Sequence, residues 1–295
     1  VLVKPVARLI NPLRALILSL DACRDIPQIE VAVGETHCVD TGTMPEVLRV
    51  ALVLRHLVPL ADADRERLQQ FAEQHDIEWF LQSGGPDTVQ KFWPADDKSS
   101  LFYYLPKHAG SHLPAITMEF QPGDFTQVNA GINRLMIEQA IELLDLQPQD
   151  QVLDLFCGLG NFTLAIAQRC QSVTGVEGSE DMVTRAAMNA QRNDIINASF
   201  YAANLFTDFD QETWAKPVYD KLLLDPPRSG AIELVSRIRE LLPRKIVYVS
   251  CNPATLARDA AELQRQGYEL ISAGVMDMFP HTGHVESMAL FVLGT

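Results

Sequence analysis

From about residue 149 onward, short apolar and β-branched segments alternate with segments of helical periodicity. The apolar segments predict seven strands, at residues 151–157, 172–178, 198–203, 219–225, 245–251, 269–277 and 286–292. The helical periodicity predicts helices at residues 161–169, 179–193, 231–242 and 253–266. Alternation of this kind is typical of an α/β domain with a mostly parallel sheet between helices. The last two strands have no long helix between them, so we expect them to form an antiparallel pair.

The first 124 residues have a different pattern. Strand-like segments occur at residues 28–33, 47–57, 77–82 and 113–120, and the one clear helix is at residues 62–74. Loops rich in glycine, proline and aspartate separate them, and a turn at residues 121–124 ends the region. The sequence therefore predicts a smaller, mainly antiparallel α+β domain at residues 1–124 in front of a larger α/β domain at residues 125–295.

Composition is that of a globular protein with room for one large core and a smaller companion domain: 295 residues, of which 47% are hydrophobic. Basic residues and prolines interrupt the apolar stretch of the first twenty residues, so it fits neither a signal peptide nor a membrane span. We therefore expect a cytoplasmic protein. The sequence begins with Val1, and we expect it to be a fragment of a longer chain, truncated on the N-terminal side of the first domain.

The net charge and the cysteine content limit the kinds of binding site that the sequence allows. The net charge is −14, and the acidic excess is shared by both predicted domains. Because non-specific RNA binding depends on Lys and Arg, an RNA enzyme of this composition needs a local basic patch or an additional segment. The five cysteines show no C-x-x-C spacing, so we expect neither a disulfide framework nor a metal site.

A glycine-containing turn follows the first strand of the larger domain. Gly158 and Gly160 allow the backbone to turn tightly and to approach a ligand closely. The next strand ends at Glu177, a carboxylate suited to a ribose diol, and the third is followed by Asn204, suited to an adenine edge. The fourth ends at Asp225. Since the carboxyl ends of parallel strands form one crevice, these residues predict a nucleoside cofactor site.

Two kinds of nucleoside cofactor are considered for this predicted crevice. A nicotinamide dinucleotide fingerprint requires a third glycine where Thr163 stands. S-adenosyl-L-methionine has no pyrophosphate and needs less exposure of the helix amides, so we favour S-adenosyl-L-methionine. The motif alone also fits a plain strand-to-helix turn.

The fifth strand leads directly into Cys251, beside the same crevice. A buried cysteine is usually inert, but a thiolate beside a methyl donor suits one task. Carbon 5 of a pyrimidine becomes nucleophilic when a thiolate adds to carbon 6. A base must then remove the hydrogen from carbon 5, and Glu286, at the start of the last strand, is the candidate. His281 and His284 are alternative bases, and a solvated Glu286 without a role is also compatible with the sequence.

The segment Asp225-Pro-Pro-Arg228 also bears on the target atom. In methyltransferases that act on exocyclic amines, an aromatic residue occupies the fourth position of the corresponding motif. Arg228 at that position favours a ring-carbon target, with an enolate or a phosphate as the partner of the cation, although a structural salt bridge explains it equally well.

Together these motifs resemble the RNA uracil-5-methyltransferase family. The resemblance covers residues 121–295 and is carried by Asp-Leu-Phe-Cys-Gly-Leu-Gly-Asn-Phe, Leu-Leu-Asp-Pro, Ser-Cys-Asn-Pro-Ala-Thr-Leu-Ala-Arg-Asp and Asp-Met-Phe-Pro-His-Thr-Gly-His-Val-Glu-Ser-Met. The last two motifs look closer to the branch that acts on bacterial 23S ribosomal RNA than to the tRNA-directed branch. The resemblance implies a Rossmann-like class I methyltransferase domain with a seven-stranded, mostly parallel sheet.

The resemblance also implies roles for individual residues. Cys251 would be the nucleophile and Glu286 the base, with S-adenosyl-L-methionine as the methyl donor and 23S ribosomal RNA as the partner. The implied cofactor contacts, beyond the two glycines, are Gln127, Phe156, Asn161, Glu177, Asn204 and Asp225. Gln127 and Phe156 carry no signal of their own in the sequence. No protein partner or membrane is implied, and we expect a monomer.

Full-length members of this branch carry an N-terminal RNA-binding domain and a four-cysteine site for a 4Fe-4S cluster. The sequence lacks such a cysteine cluster. We expect truncation to explain this, and a natural cluster-free relative is the alternative.

Three other functions remain open from the sequence: a tRNA uridine-5-methyltransferase, an RNA cytosine-5-methyltransferase, and a silent RNA-binding module. The cytosine enzymes usually place a cysteine in the motif that here contains Asp225. A silent module would be favoured by loss of Cys251 or Glu286, and both are present.

Overall fold

The computed structural model describes residues 2–36, 48–96, 100–105, 113–207, 209–216 and 218–294. Cys38 lies outside these ranges. The chain divides into two compact units. The first comprises residues 1–39, 43–104 and 119–126, and the second comprises residues 40–42, 105–118 and 127–295. The predicted boundary at residue 124 stays a prediction.

The first unit contains a four-stranded sheet in the order β1-β2-β3-β4. Its elements are α1 (Lys4–Ser19), β1 (Gln28–Glu35), β2 (Leu48–Arg55), α2 (Asp62–His75), β3 (Ile77–Gln82) and β4 (Val89–Trp93). The β2–β3 pair is parallel, and the other two pairs are antiparallel. The core includes Leu52, Leu54, Leu68 and Trp79, all of which are fully buried.

Helix α1 is absent from the sequence-based predictions. Its first turn contains Pro5, at a position where no backbone N–H is needed, and Pro12 lies inside the helix. Val6, Leu9 and Leu16 are buried, so packing of the apolar face offsets the proline in the interior. Two further strands, β5 (Leu101–Leu105) and β6 (Ile116–Phe120), form a two-stranded sheet, and the division between the units falls within them.

The second unit contains a seven-stranded sheet in the order β12-β13-β11-β10-β7-β8-β9. The strands are β7 (Gln151–Leu155), β8 (Ser172–Glu177), β9 (Ala198–Ala202), β10 (Lys221–Leu224), β11 (Lys245–Ser250), β12 (Tyr268–Met276) and β13 (Glu286–Leu293). The five strands from β7 to β11 are parallel to their neighbours, and β13 is antiparallel to both β11 and β12. The predicted fold class, including the closing antiparallel pair, is confirmed.

The helices of the second unit connect successive strands. They are α3 (Ala130–Leu144), α4 (Thr163–Ala167), α5 (Glu180–Arg192), α6 (Ile232–Val235) and α7 (Pro253–Arg265). The single helix predicted at residues 231–242 is wrong: α6 is followed by a separate 3-10 turn at Ile238–Leu241. The apolar periodicity is satisfied nonetheless, because Leu234, Val235 and Ile238 are all buried.

The core of the second unit lies between the sheet and these helices. Strand residues such as Leu153, Leu222 and Ile246 are fully buried, and Trp214 and Tyr268 pack against the same cluster. Among the described residues, no helix combines the length and apolar character that a membrane crossing requires.

Candidate active site

The sheet order brings most of the predicted site residues to one edge. Strands β8, β7, β10 and β11 are successive neighbours, and their carboxyl ends point the same way because they are parallel. Strand β13 runs in the opposite direction, so its first residue lies at this same edge. The predicted residues found at or just beyond these strand ends, including that of β9, are Phe156, Glu177, Asn204, Asp225, Cys251 and Glu286.

The turn after β7 has a left-handed backbone at three positions. Phe156, Gly158 and Gly160 have φ values of 65°, 55° and 88°. The backbone N–H groups of Phe156 and Cys157 both donate to the carbonyl of Val176, at 2.9 and 3.1 Å. The turn is therefore fixed to β8, and the N–H of Leu164 donates to the carbonyl of Gly160 as α4 begins.

Glu177, the last residue of β8, is held by three backbone N–H groups. One carboxylate oxygen accepts hydrogen bonds from Gly178 and Ser179, at 2.7 and 3.2 Å, and the other accepts from Gly158, at 3.2 Å. The carboxylate thus has a fixed orientation against the glycine turn. Its remaining lone pairs are available to hydroxyl donors such as a ribose diol.

Asn161, at the end of the turn, forms a reciprocal pair with Asn133 of α3. Each side-chain amide donates to the other's carbonyl oxygen, at 2.8 and 3.1 Å, and Asn133 is buried. Helix α3 is capped by Asn129, whose side chain accepts from the N–H of Ile132. Gln127 lies two residues before this cap and is half-buried.

Asp154, within β7, is a further candidate site residue that the sequence-based predictions do not include. Its side chain is fully buried, and one oxygen accepts from the Thr163 hydroxyl at 2.5 Å. The other, Oδ1, has no hydrogen-bond partner among the described residues. The pKa of this carboxyl is raised to about 7, chiefly by burial; the Thr163 hydrogen bond opposes the rise, and the negative charge of Glu177 contributes to it. A carboxylate in an otherwise apolar strand was the signal that could have revealed it.

Asp225 and Asn204 follow β10 and β9. Burial raises the pKa of Asp225 to about 7, with smaller contributions from the negative charges of Glu286 and Asp154. Asn204 is exposed, and its side-chain oxygen accepts from the N–H of Phe206 at 3.0 Å.

The register of β11 and β13 places Cys251 next to Glu286. Ser250 and Ser287 are paired across these antiparallel strands, and the Ser287 hydroxyl donates to the Ser250 carbonyl at 3.1 Å. Cys251 follows Ser250, and Glu286 precedes Ser287, so the two residues lie one position beyond the last pair of this ladder, and the Glu286 carboxylate acts on the Cys251 thiol. Glu286 is buried, with 5% of its surface exposed. Cys251 is half-buried.

The surroundings of Cys251 disfavour its thiolate in the absence of a ligand. Burial raises the pKa of the thiol, the carboxylates of Glu286 and Asp225 raise it further, and the cation of Arg228 lowers it. Burial also raises the pKa of Glu286. Arg228 is therefore the positive charge whose position matters most to this thiol.

The two histidines considered as alternative bases lie in the loop before β13. Both are exposed, and His281 has a left-handed φ of 65°. The His284 ring packs edge-on against Phe279, with centroids 5.8 Å apart. These contacts are compatible with a structural role in the loop.

Two other cysteines, Cys157 and Cys170, have environments that disfavour a thiolate. Cys157 is buried, and burial raises its pKa well above the usual value. Burial also raises the pKa of Cys170, to about 11. Within the ranges that the structure describes, no three His, Cys, Asp or Glu side chains converge as metal ligands.

The parallel strands, the antiparallel closing strand and the glycine turn together define an α/β fold of the S-adenosylmethionine-dependent methyltransferase class. A solved structure supports this assignment: the tRNA (uracil-54, C5)-methyltransferase of Pyrococcus abyssi, in complex with S-adenosyl-L-homocysteine, has a TM-score of 0.62 at 26% sequence identity. The match covers 83% of this chain and 56% of that one. Residues 114–293 match the model of the tRNA (uracil-5-)-methyltransferase family. The chain belongs to this family.

Curated relatives extend the similarity to nearly the whole chain. The 23S rRNA (uracil(1939)-C(5))-methyltransferase RlmD of Hahella chejuensis is 51% identical over 295 residues, covering 99% of this chain and 62% of the relative. The protein of the same name from Legionella pneumophila (strain Lens) is 50% identical, covering 96% of this chain and 60% of the relative. The chain thus spans about 60% of the length of the curated relatives it matches.

Proposed function

We propose that this protein methylates carbon 5 of a uridine in RNA, through a covalent bond between Cys251 and carbon 6 of the base. The observation that carries the proposal is the β11–β13 register, which supports a thiol and a buried carboxylate side by side at the ligand-binding edge of the sheet. A nucleophile for carbon 6 and a base for the hydrogen on carbon 5 are the two groups that this chemistry requires.

The cofactor site fits S-adenosyl-L-methionine, which supplies an electrophilic methyl group on a positively charged sulfonium. The fixed carboxylate of Glu177 suits the ribose hydroxyls. Asp154 presents an unpartnered buried oxygen, and Asp225 adds a second carboxyl at the same sheet edge. Negative groups of this kind suit a cationic ligand. We propose Gln127, Phe156, Gly158, Gly160, Asn161, Glu177, Asn204 and Asp225 as the residues that hold it.

In the proposed reaction, the Cys251 thiolate adds to carbon 6 of the uracil, and the electron pair of the C5–C6 double bond moves to carbon 5 and the O4 enolate. Carbon 5 would then take the methyl group, while the bond between that methyl and the sulfonium sulfur breaks and leaves a neutral thioether. Glu286 accepts the hydrogen of carbon 5 as a proton, the C–H electron pair re-forms the C5–C6 double bond, and the C6–S bond breaks to release the thiolate. Burial, which raises the pKa of Glu286, makes this carboxylate a better proton acceptor. Arg228 offers its cation to the enolate or to a phosphate.

We propose a uridine of 23S ribosomal RNA as the substrate, because relatives of about 50% identity carry that substrate in their names. A ribosomal substrate also implies action in the cytoplasm. A uridine of tRNA is the second candidate, favoured by the P. abyssi neighbour. The target base must leave its stack to reach Cys251. The described residues do not provide a cysteine cluster for iron–sulfur chemistry, and no step of the proposed reaction needs one.

The proposal can be tested with RNA transcribed with 5-fluorouridine. Glu286 cannot remove fluorine from carbon 5, so the enzyme should remain bonded to the RNA in a denaturant-resistant complex when S-adenosyl-L-methionine is present. A 23S fragment and a tRNA transcript, used in parallel, identify the preferred RNA.

The matched variants are Cys251→Ser, which we expect to abolish the complex, and Cys170→Ser, which removes another half-buried free thiol and should leave the complex intact. Absence of a complex with both RNAs, or its persistence in Cys251→Ser, would contradict the proposal.

A further inference from the structure

Asp259 connects three segments of the chain around Cys251. It lies in α7, its side chain is fully buried, and its Oδ2 accepts hydrogen bonds from the Tyr248 hydroxyl, at 2.6 Å, and from the backbone N–H of Ala231, at 2.8 Å. Its Oδ1 accepts from Nε of Arg258, at 2.8 Å. One carboxylate therefore joins β11, three residues before Cys251, to the helix after Cys251 and to the loop after β10.

Side chains at the start of α7 also donate hydrogen bonds to backbone carbonyl groups of the loop after β10. Arg258 donates from Nη2 to the carbonyl of Ser229, at 2.9 Å. The side chains of Asn252 and Thr255 donate to the carbonyl of Arg228, at 3.0 and 3.3 Å. The backbone of Arg228 is consequently held by residues that follow Cys251 within one or two helical turns.

Gly230 shows how closely the loop approaches α7. Its φ is +74°, and a Cβ added there would lie 2.6 Å from both Nη2 of Arg258 and Oδ2 of Asp259. Only a residue without a side chain fits between the loop and this pair.

We propose that Asp259 is a positioning residue that sets the location of Arg228 relative to Cys251. The inference rests on the proposed function, in which Cys251 is the nucleophile. Three charges act on this thiol: Glu286 and Asp225, which oppose ionisation, and Arg228, which promotes it. Glu286 is fixed by the sheet and Asp225 by the end of β10. Arg228 lies beyond the strand, in the loop that Asp259 and Arg258 hold.

The test is the pH profile of Cys251 alkylation by iodoacetamide, read by mass spectrometry of the Cys251 peptide from about pH 6 to about pH 10. In Asp259→Asn one acceptor oxygen becomes an NH₂ donor, so either Arg258 or the Tyr248–Ala231 side loses its acceptor. We expect the loop to shift and the profile to move to higher pH, with alkylation about threefold to tenfold slower near neutral pH. Arg228→Ala should give the same shift, and the double variant no further shift.

Two variants guard against a simple loss of folding. Gly230→Ala leaves the carboxylate in place but forces the loop away from it, and should shift the profile in the same direction as Asp259→Asn. Asp64→Asn removes an equally buried, Arg-paired carboxylate from the first unit, and should lower thermal stability without moving the profile. An unmoved profile in both Asp259→Asn and Gly230→Ala, or in Arg228→Ala, would overturn the inference.

Alkylation needs neither RNA nor cofactor, so this result is separable from the proposed function. If the wild-type chain forms no complex with 5-fluorouridine RNA while the alkylation shifts occur as expected, uridine methylation fails and the positioning of Arg228 stands. If the wild-type chain forms the complex while the alkylation profiles of both Asp259→Asn and Gly230→Ala stay unmoved, the positioning inference fails alone.

Discussion

At the residue scale, the turn after β7 depends on glycine at Gly160. Its φ of 88° is in the left-handed region, and a Cβ would lie 3.4 Å from Cγ of Leu164. We expect Gly160→Ala to lower the free energy of unfolding by about 1–2 kcal/mol and to weaken binding of S-adenosyl-L-homocysteine, measured by calorimetry. Gly267→Ala is the matched control, because Gly267 has a φ of 91° with open space around it. Equal loss of ligand affinity in both variants would argue against a cofactor role for the turn.

Glu286 has two expected roles: its negative charge acts on the Cys251 thiol, and its carboxylate accepts the proton from carbon 5. The variant Glu286→Gln separates these two roles. Because the negative charge of Glu286 raises the pKa of the Cys251 thiol, its removal should lower that pKa and move the alkylation profile to lower pH. The thiol should still attack RNA, but release of the product should be slow, and a covalent complex should accumulate even on ordinary uridine. Rapid turnover by this variant would instead point to His281 or His284 as the base.

Some of the candidate site residues at the carboxyl ends of the parallel strands can be recognised from the sequence, and others cannot. Glu177 and Cys251 stand out as polar residues directly at the ends of apolar strands, and the structure has them there. Phe156 could not be found in this way, since its left-handed conformation depends on a tertiary hydrogen bond to Val176. The role of Asn133 could not be recognised from the sequence either, because its hydrogen-bond partner Asn161 is 28 residues away.

At the scale of elements, α3 supports the cofactor turn through the Asn133–Asn161 pair. Asn133→Ala removes both hydrogen bonds of the pair between Asn133 and the half-buried Asn161, at a cost of about 1–3 kcal/mol. We expect the variant to bind S-adenosyl-L-homocysteine about fivefold to tenfold more weakly.

Asn197→Ala is the control variant for Asn133→Ala. The Asn197 side chain donates to the carbonyls of Ala167 and Cys170, so its loss should lower stability while leaving ligand affinity unchanged. Wild-type affinity in Asn133→Ala would show that the amide pair does not position the turn.

The elements themselves differ in how well their sequences define them. The seven strands of the larger sheet were predictable to within about two residues at each end, because most of them are buried and read as continuous apolar runs. Strands β4 and β5 were not predicted, and β6 begins three residues later than the segment predicted at residues 113–120. The segment at residues 231–242 was not, since apolar spacing does not distinguish one helix from two short turns. Helix α1 contains two prolines that obscure its apolar face.

At the scale of the whole molecule, the acidic groups of the crevice reduce stability. The pKa of Asp225 is raised to about 7 in the folded chain, against an ordinary value of 3.8 for an aspartate. The folded state therefore holds a proton that the unfolded state releases between these values, and stability falls as the pH rises through that range. We expect Asp225→Asn to unfold about 2–4 °C higher than wild type at about pH 8, with a smaller difference at about pH 5.

Asp220→Asn is the control for this experiment. Asp220 precedes β10, is also half-buried, and accepts from the N–H of Gln151 at 2.9 Å. Its replacement should not stabilise the protein at either pH. A lower melting temperature for Asp225→Asn at the higher pH would contradict the expected cost of ionisation.

The order of the strands has a consequence for how the protein is made. A ribosome synthesises β13 after the other six strands of the seven-stranded sheet, yet β13 is an inner strand that separates β12 from β11. A nascent chain that has not yet added β13 has Cys251 at an open sheet edge and lacks Glu286. The nucleophile and its base therefore become neighbours in the same event that closes the sheet, and a partly synthesised chain cannot complete the proposed chemistry on the RNA around it.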